Sequence, residues 1–168
     1  MSISWSAMHK KLETENLCDS LKGQITYFAT RYRKSHDEMG RVAVLLNGKE
    51  VLQSSWFEWA KKSHEIFEAT RGPRNKGLKH DEYWKKVDIE THNQYGFDQF
   101  CFYSAYYEYA NQSIENSLNA ADPIVKMFAV LDRHVGKRTL ENIKSSLDSL
   151  PEWLRYFYEL RLKSEGLQ

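Results

Sequence analysis

Cysteine and proline are scarce in this 168-residue chain, with two of the first and three of the second. Cys18 and Cys101 lie far apart, which excludes a disulfide framework or a CxxC redox pair. Both fall in predicted helical apolar stripes, so the expected state is a buried free thiol in a reducing cytoplasm. Charge of one sign is also lacking. The formal net charge is +1, so no global field steers the protein toward nucleic acid or an anionic membrane. No apolar run approaches the ~20 residues needed to span a bilayer. The opening MSISWSAMHKKLE is too polar, and charged too soon, for a signal peptide. The expectation is a cytoplasmic protein without a membrane partner.

Signatures of chemistry are missing as well. Among the six histidines, no two stand at the three-to-five-residue spacing that puts metal ligands on one helix face. Gly136-Lys137-Arg138 resembles the end of a phosphate-binding loop, but the upstream glycine position is Leu131 and the hydroxyl is displaced to Thr139. There is no dinucleotide fingerprint and no Gly-x-Ser-x-Gly elbow. Paired acids such as Asp88 and Glu90 carry little weight in a chain with 23 Asp and Glu. The sequence therefore assigns no catalytic residue, metal or cofactor, and it leans away from an enzyme.

What the chain has is aromatic mass: ten Tyr, eight Phe and five Trp, within 41% hydrophobic residues. Such a chain can offset the entropy cost of ordering and does not stay disordered. Its length suits one domain, residues 1–168. Trp5, Met8, Leu12, Leu17 and Leu21 recur at helical spacing, predicting a helix over 4–20. The period then changes to two. Strands are predicted over 24–33, 41–46 and 49–55, with Asn47-Gly48 as the hairpin turn.

Beyond Trp56 the pattern is helical. Segments are predicted over 56–70, 81–93 and 98–119, the last with Tyr103, Tyr107, Ala110, Ile114 and Leu118 on its inner face. Another is expected over 124–135, opened by Asp122-Pro123 and apolar nearly all round. A short helix over 138–147 and a final one with a capping box at Ser149–Glu152 complete the chain. The fold class is α+β: an N-terminal helix, a three-stranded antiparallel meander, then about five helices packed as one domain.

Charge falls in blocks. Residues 71–86 carry six Lys or Arg against two acids, while residues 87–122 carry six acids and no Lys or Arg. Two basic constellations are candidate binding sites. In the first, Arg31, Tyr32 and Arg33 interleave charge with an aromatic ring, suited to phosphate contact and base stacking. In the second, Arg133, Lys137 and Arg138 cluster after the apolar helix, where cations complement a helix C-terminus. There Asp132 is placed to pair with Arg138 across the turn.

These stretches also carry a resemblance. Trp5-Ser6, Leu21-Lys22-Gly23, Thr30-Arg31-Tyr32-Arg33 and the block from Asp122-Pro123 to Arg138-Thr139-Leu140 resemble a family of small uncharacterised bacterial proteins. Its members tend to have Arg in place of His134 and often a basic residue in place of Thr139, which counts against a strict anion-binding role. The resemblance implies a stand-alone bacterial cytoplasmic protein and no particular activity.

The function expected from these features is a non-enzymatic module that binds another protein, of the kind an antitoxin or immunity protein provides. Nucleic-acid or anion binding through the basic hairpin and the 71–79 loop is the alternative. An enzyme with no recognisable motif is the third.

Overall fold

A computed structural model describes residues 3–31, 40–70 and 77–167, excepting the side chain of Arg31. Helix α1 (Trp5–Lys10) is capped by Ser4, whose hydroxyl accepts from Ala7 N, and runs on as a π-helical turn over Lys11–Glu15. It stops five residues short of the expected end because the following backbone finds another partner. Leu17 and Asp132 form an antiparallel bridge. Cys18 N donates to Leu131 O at 2.9 Å, and Arg133 N donates to Asn16 O at 2.7 Å. Buried backbone groups must be paired, and here long-range pairing overrides helical periodicity. The same bridge ends the apolar helix early, at Val130 rather than Val135.

The meander is β1 (Ile25–Arg31), β2 (Gly40–Leu46) and β3 (Lys49–Ser55), antiparallel with β2 central. Asn47 and Gly48 take φ of 50° and 77°, the left-handed pair that a two-residue hairpin turn requires. A bulge between Val44 and Leu45 shifts the β2–β3 register. Ile25, Tyr27, Val42, Val44 and Leu52 are buried in the core. On the opposite face Phe28 is exposed beneath the Arg41 guanidinium, 5.1 Å from its ring centre.

Seven α-helices follow among the described residues: α2 (Trp56–Thr70), α3 (His80–Asn93), α4 (Gln99–Ala110), α5 (Ile114–Leu118), α6 (Pro123–Val130), α7 (Lys137–Ile143) and α8 (Glu152–Ser164). The single helix expected over 98–119 is two, because Ser113 caps a new start by accepting from Asn116 N. Short polar side chains that can bond nearby backbone favour such breaks. The inner face of α4 is Phe102, Ala105, Tyr106 and Tyr109, one step round from the face the sequence suggests. Asp98 does cap α4, with Phe97 and Phe102 packed as the staple, their rings 5.7 Å apart. The box expected at Ser149 does not form, since Ser149 Oγ donates back to Ser146 O and Pro151 caps α8 without a side-chain bond. All of α6 except Lys126 is buried, and it packs on α4, α5 and α8.

Arg161 in α8 is 3% exposed. Its Nη1 donates to Ser20 Oγ at 3.2 Å and to Glu165 Oε1, and its Nη2 donates to Val135 O at 3.2 Å. One guanidinium thus ties the N-terminal segment, the turn after α6 and the last helix together. Burial alone would raise the Glu165 carboxyl, but the Ser20 hydroxyl and Arg161 outweigh it and hold it below its ordinary value. Removing one partner of a buried pair strands the other. Arg161→Met is therefore expected to cost about 3–5 kcal/mol of stability, read as a lowered midpoint in urea unfolding.

Candidate functional site

Of the six candidate residues, Tyr32 and Arg33 lie outside the described residues, and Arg31 is described only as backbone paired with Gly40 at the end of β1. The other three, Arg133, Lys137 and Arg138, are all exposed. Lys137 and Arg138 open α7 rather than close α6, so the helix-dipole rationale for them fails: they sit at a helix N-terminus, the end that disfavours cations.

Asp132 does not serve Arg138. It is 5% exposed; its Oδ2 accepts from Tyr109 OH, and its Oδ1 accepts from His134 N at 2.7 Å and lies 2.8 Å from His134 Nδ1. Burial first, and then the bond to Asp132, push the Tyr109 phenol far up. His134 lines a cleft of about 660 Å³ with Lys126, Thr139 and Tyr158, and a second of about 400 Å³ with Asn16 and Tyr109. None of the three candidate cations lines either cleft. The buried members of this block, Asp132 and Val135, form a structural junction, and its three cations are turned to solvent.

A different place gathers side chains whose polar atoms are unspent. Helices α2 and α3 pack on each other as an arm that leaves β3 and returns to α6. At the base of the arm, where α2 begins and α3 ends, lies a pocket of about 270 Å³ shared with the start of α4. Its walls include Trp56 and Trp59 from α2, Asp88 and His92 from α3, and Phe100 and Cys101 from α4. Asp88 and His92 stand four apart, so both fall on one face of α3. Phe57, 64% exposed, packs edge-on against Trp56, and Phe100 is 46% exposed. In all of α2 only Ser63 and Ile66 are buried.

His92 fixes the geometry. Its ring is buried, with Nδ1 3.1 Å from Asp122 Oδ1, and its carbonyl accepts from Trp153 Nε1 at 3.0 Å. Asp122 also caps α6 by accepting from Ile124 N. The second ring nitrogen, His92 Nε2, is buried with no hydrogen-bond partner, and so is Trp59 Nε1. Two unpartnered ring nitrogens therefore belong to residues lining one pocket. Buried polar groups are nearly always paired, and each exception costs about 1–3 kcal/mol.

Asp88 makes no hydrogen bond or salt bridge among the described residues. Burial pushes its carboxyl up; His92 pulls it down, and Asp122 and Asp98 push it up again, with a net rise. Asp98 is buried and its carboxylate is spent on capping α4, where Oδ1 accepts from Phe100 N and Cys101 N. The Cys101 thiol is held well above its ordinary value by burial and by Asp98, so it is not a thiolate nucleophile. No group of three or more His, Cys, Asp or Glu side chains has metal-holding geometry among the described residues.

Sequence reasoning missed this site, and it passed over Asp88 by name. The available signal was the run from 87 to 122 without a single Lys or Arg, read together with the i, i+4 spacing of Asp88 and His92.

Because the Asp88 carboxyl is raised in the folded protein, ionising it opposes folding. The stability it contributes is present below its unfolded value and lost as pH rises through the folded one. Asp88→Asn is thus expected to raise the neutral-pH melting temperature by about 1–2 °C. By differential scanning fluorimetry the gain should vanish in acid, where both side chains are uncharged.

Comparison with known proteins adds one match. A family model described as the SF0329 protein family matches residues 4–162. No curated protein and no solved structure matches the chain, and no helix among the described residues is long and apolar enough to cross a membrane.

Proposed function

The chain belongs to the SF0329 protein family, and we propose that it is a non-enzymatic module that binds another protein through the face formed by the starts of α2 and α4. The observation that carries this reading is the pairing of exposed rings with unspent polar atoms. Phe100 lines a pocket whose walls include His92 and Trp59, each with an unpartnered ring nitrogen, and the exposed Phe57 packs on the wall residue Trp56. Aromatic side chains around a concavity are the residues that dominate binding energy at protein interfaces. Contiguous exposed apolar surface rimmed by polar groups marks such interfaces on soluble proteins. A partner seated there would cover the rings and remove the cost of the unpaired nitrogens.

The test is recovery of the tagged protein from a lysate of its own cells, with and without nuclease. Wild type should retain a protein partner in stoichiometric amount. The double variant Phe57→Glu, Phe100→Glu should lose it, each ring being worth about 2 kcal/mol as an interface anchor. Recovery of nucleic acid that disappears with nuclease, or a partner held equally by the double variant, contradicts the reading.

A further inference from the structure

We infer that the pocket between α2, α3 and α4 receives a cationic side chain, the ammonium of a lysine or the guanidinium of an arginine, carried by a basic segment of the partner. The inference rests on reading this face as a protein-binding surface. It follows from what each wall of the pocket offers.

The charge is of one sign. Asp88 and Asp98 line the pocket and no Lys or Arg does. Asp122 stands behind His92. An anionic ligand would be repelled by these carboxylates, whereas a cation meets the unpaired carboxylate of Asp88. The walls are aromatic as well: Trp56, Trp59 and Phe100. Ring faces attract cations through their quadrupole, tryptophan most strongly.

The unpaired nitrogens narrow the ligand further. His92 Nε2, left over once Nδ1 faces Asp122, accepts an N–H when the ring is neutral. Trp59 Nε1–H can only donate, so it calls for a carbonyl or a similar oxygen. A purely apolar side chain would leave both nitrogens unsatisfied, and a simple amine would leave the indole so. A lysine or arginine within a polypeptide brings N–H donors at its tip and a backbone carbonyl near its root. The size agrees, since about 270 Å³ falls below the ~300–1,000 Å³ of sites for drug-sized ligands.

The experiment follows the Trp59 indole N–H in ¹⁵N-labelled protein, assigned with Trp59→Phe, while capped tripeptides are added. Gly-Arg-Gly and Gly-Lys-Gly should shift that resonance saturably, in the weak range expected of one side chain without its interface. Gly-Gln-Gly and n-butylammonium should each bind at least about tenfold more weakly, as should Gly-Arg-Gly to Asp88→Asn, since removing one partner of a close charge pair costs at least this much. Asp88→Asn is expected to be the more stable protein, and a dispersed amide spectrum establishes that it is folded.

Equal shifts from the glutamine peptide, silence with both cationic peptides, or undiminished binding by Asp88→Asn would overturn the inference. Butylammonium binding as tightly as the peptides would assign the pocket to a free amine instead. Indole shifts that grow with protein concentration alone would assign it to a second copy of the chain. Silent tripeptides beside a captured partner that Phe57→Glu, Phe100→Glu releases would remove the cation and leave the protein-binding reading standing. Tripeptide binding beside capture indifferent to those substitutions would remove the protein-binding reading, and with it the assignment of the cation to a partner.

Discussion

The bond between His92 and Asp122 is the interaction on which the rest of the site depends. Asp122 opens α6, the helix buried on almost every side, by capping Ile124 N. The same carboxylate holds the ring at the end of α3. The arm of α2 and α3 is thereby fixed to the middle of the protein at one end, and Trp153 Nε1 reinforces the joint by donating to the His92 carbonyl. With Nδ1 committed to Asp122, only Nε2 remains for anything else. A packing joint therefore also determines which ring nitrogen is left unpaired.

The joint explains how such a site can persist at a cost. Two buried nitrogens without partners and a half-buried carboxylate with a raised pKa all disfavour the free protein. Each violates a rule that ordinary cores obey. The rest of the molecule supplies the margin: the aromatic contacts of Phe97, Phe102 and Phe128, the capped helices, and Arg161 tying three segments together. Local violations of the rules that shape a core are what binding sites look like in energetic terms.

Much of the fold was legible because it is local. Asn47-Gly48, Asp98 with its staple and Asp122-Pro123 each specify structure within a few residues, and each forms as expected. Where the sequence misled, a distant partner intervened. The helix expected to reach Ser20 yields at Glu15 to a bridge with Asp132, over a hundred residues away in sequence. Arg161 falls on the apolar stripe of Leu154 and Phe157 yet carries a charge, and only Ser20 and Val135 reveal how it is accommodated there. The site was illegible for the same reason. Trp56 and Trp59 look like one more core stripe until α3 and α4 are seen to leave them half covered. Asp88 is one acid among many until the pocket it lines is found to have no Lys or Arg in its walls.

Hydrogen exchange on the complex, compared with the free protein, tests the central claim most directly. Segments that form the face, residues 56–60, 86–93 and 97–104, should gain protection when the captured partner is bound. The clefts beside His134, including 114–119 and 139–150, should exchange as before. Protection confined to those clefts or to the exposed turn at 133–138, with the aromatic face unchanged, would contradict it.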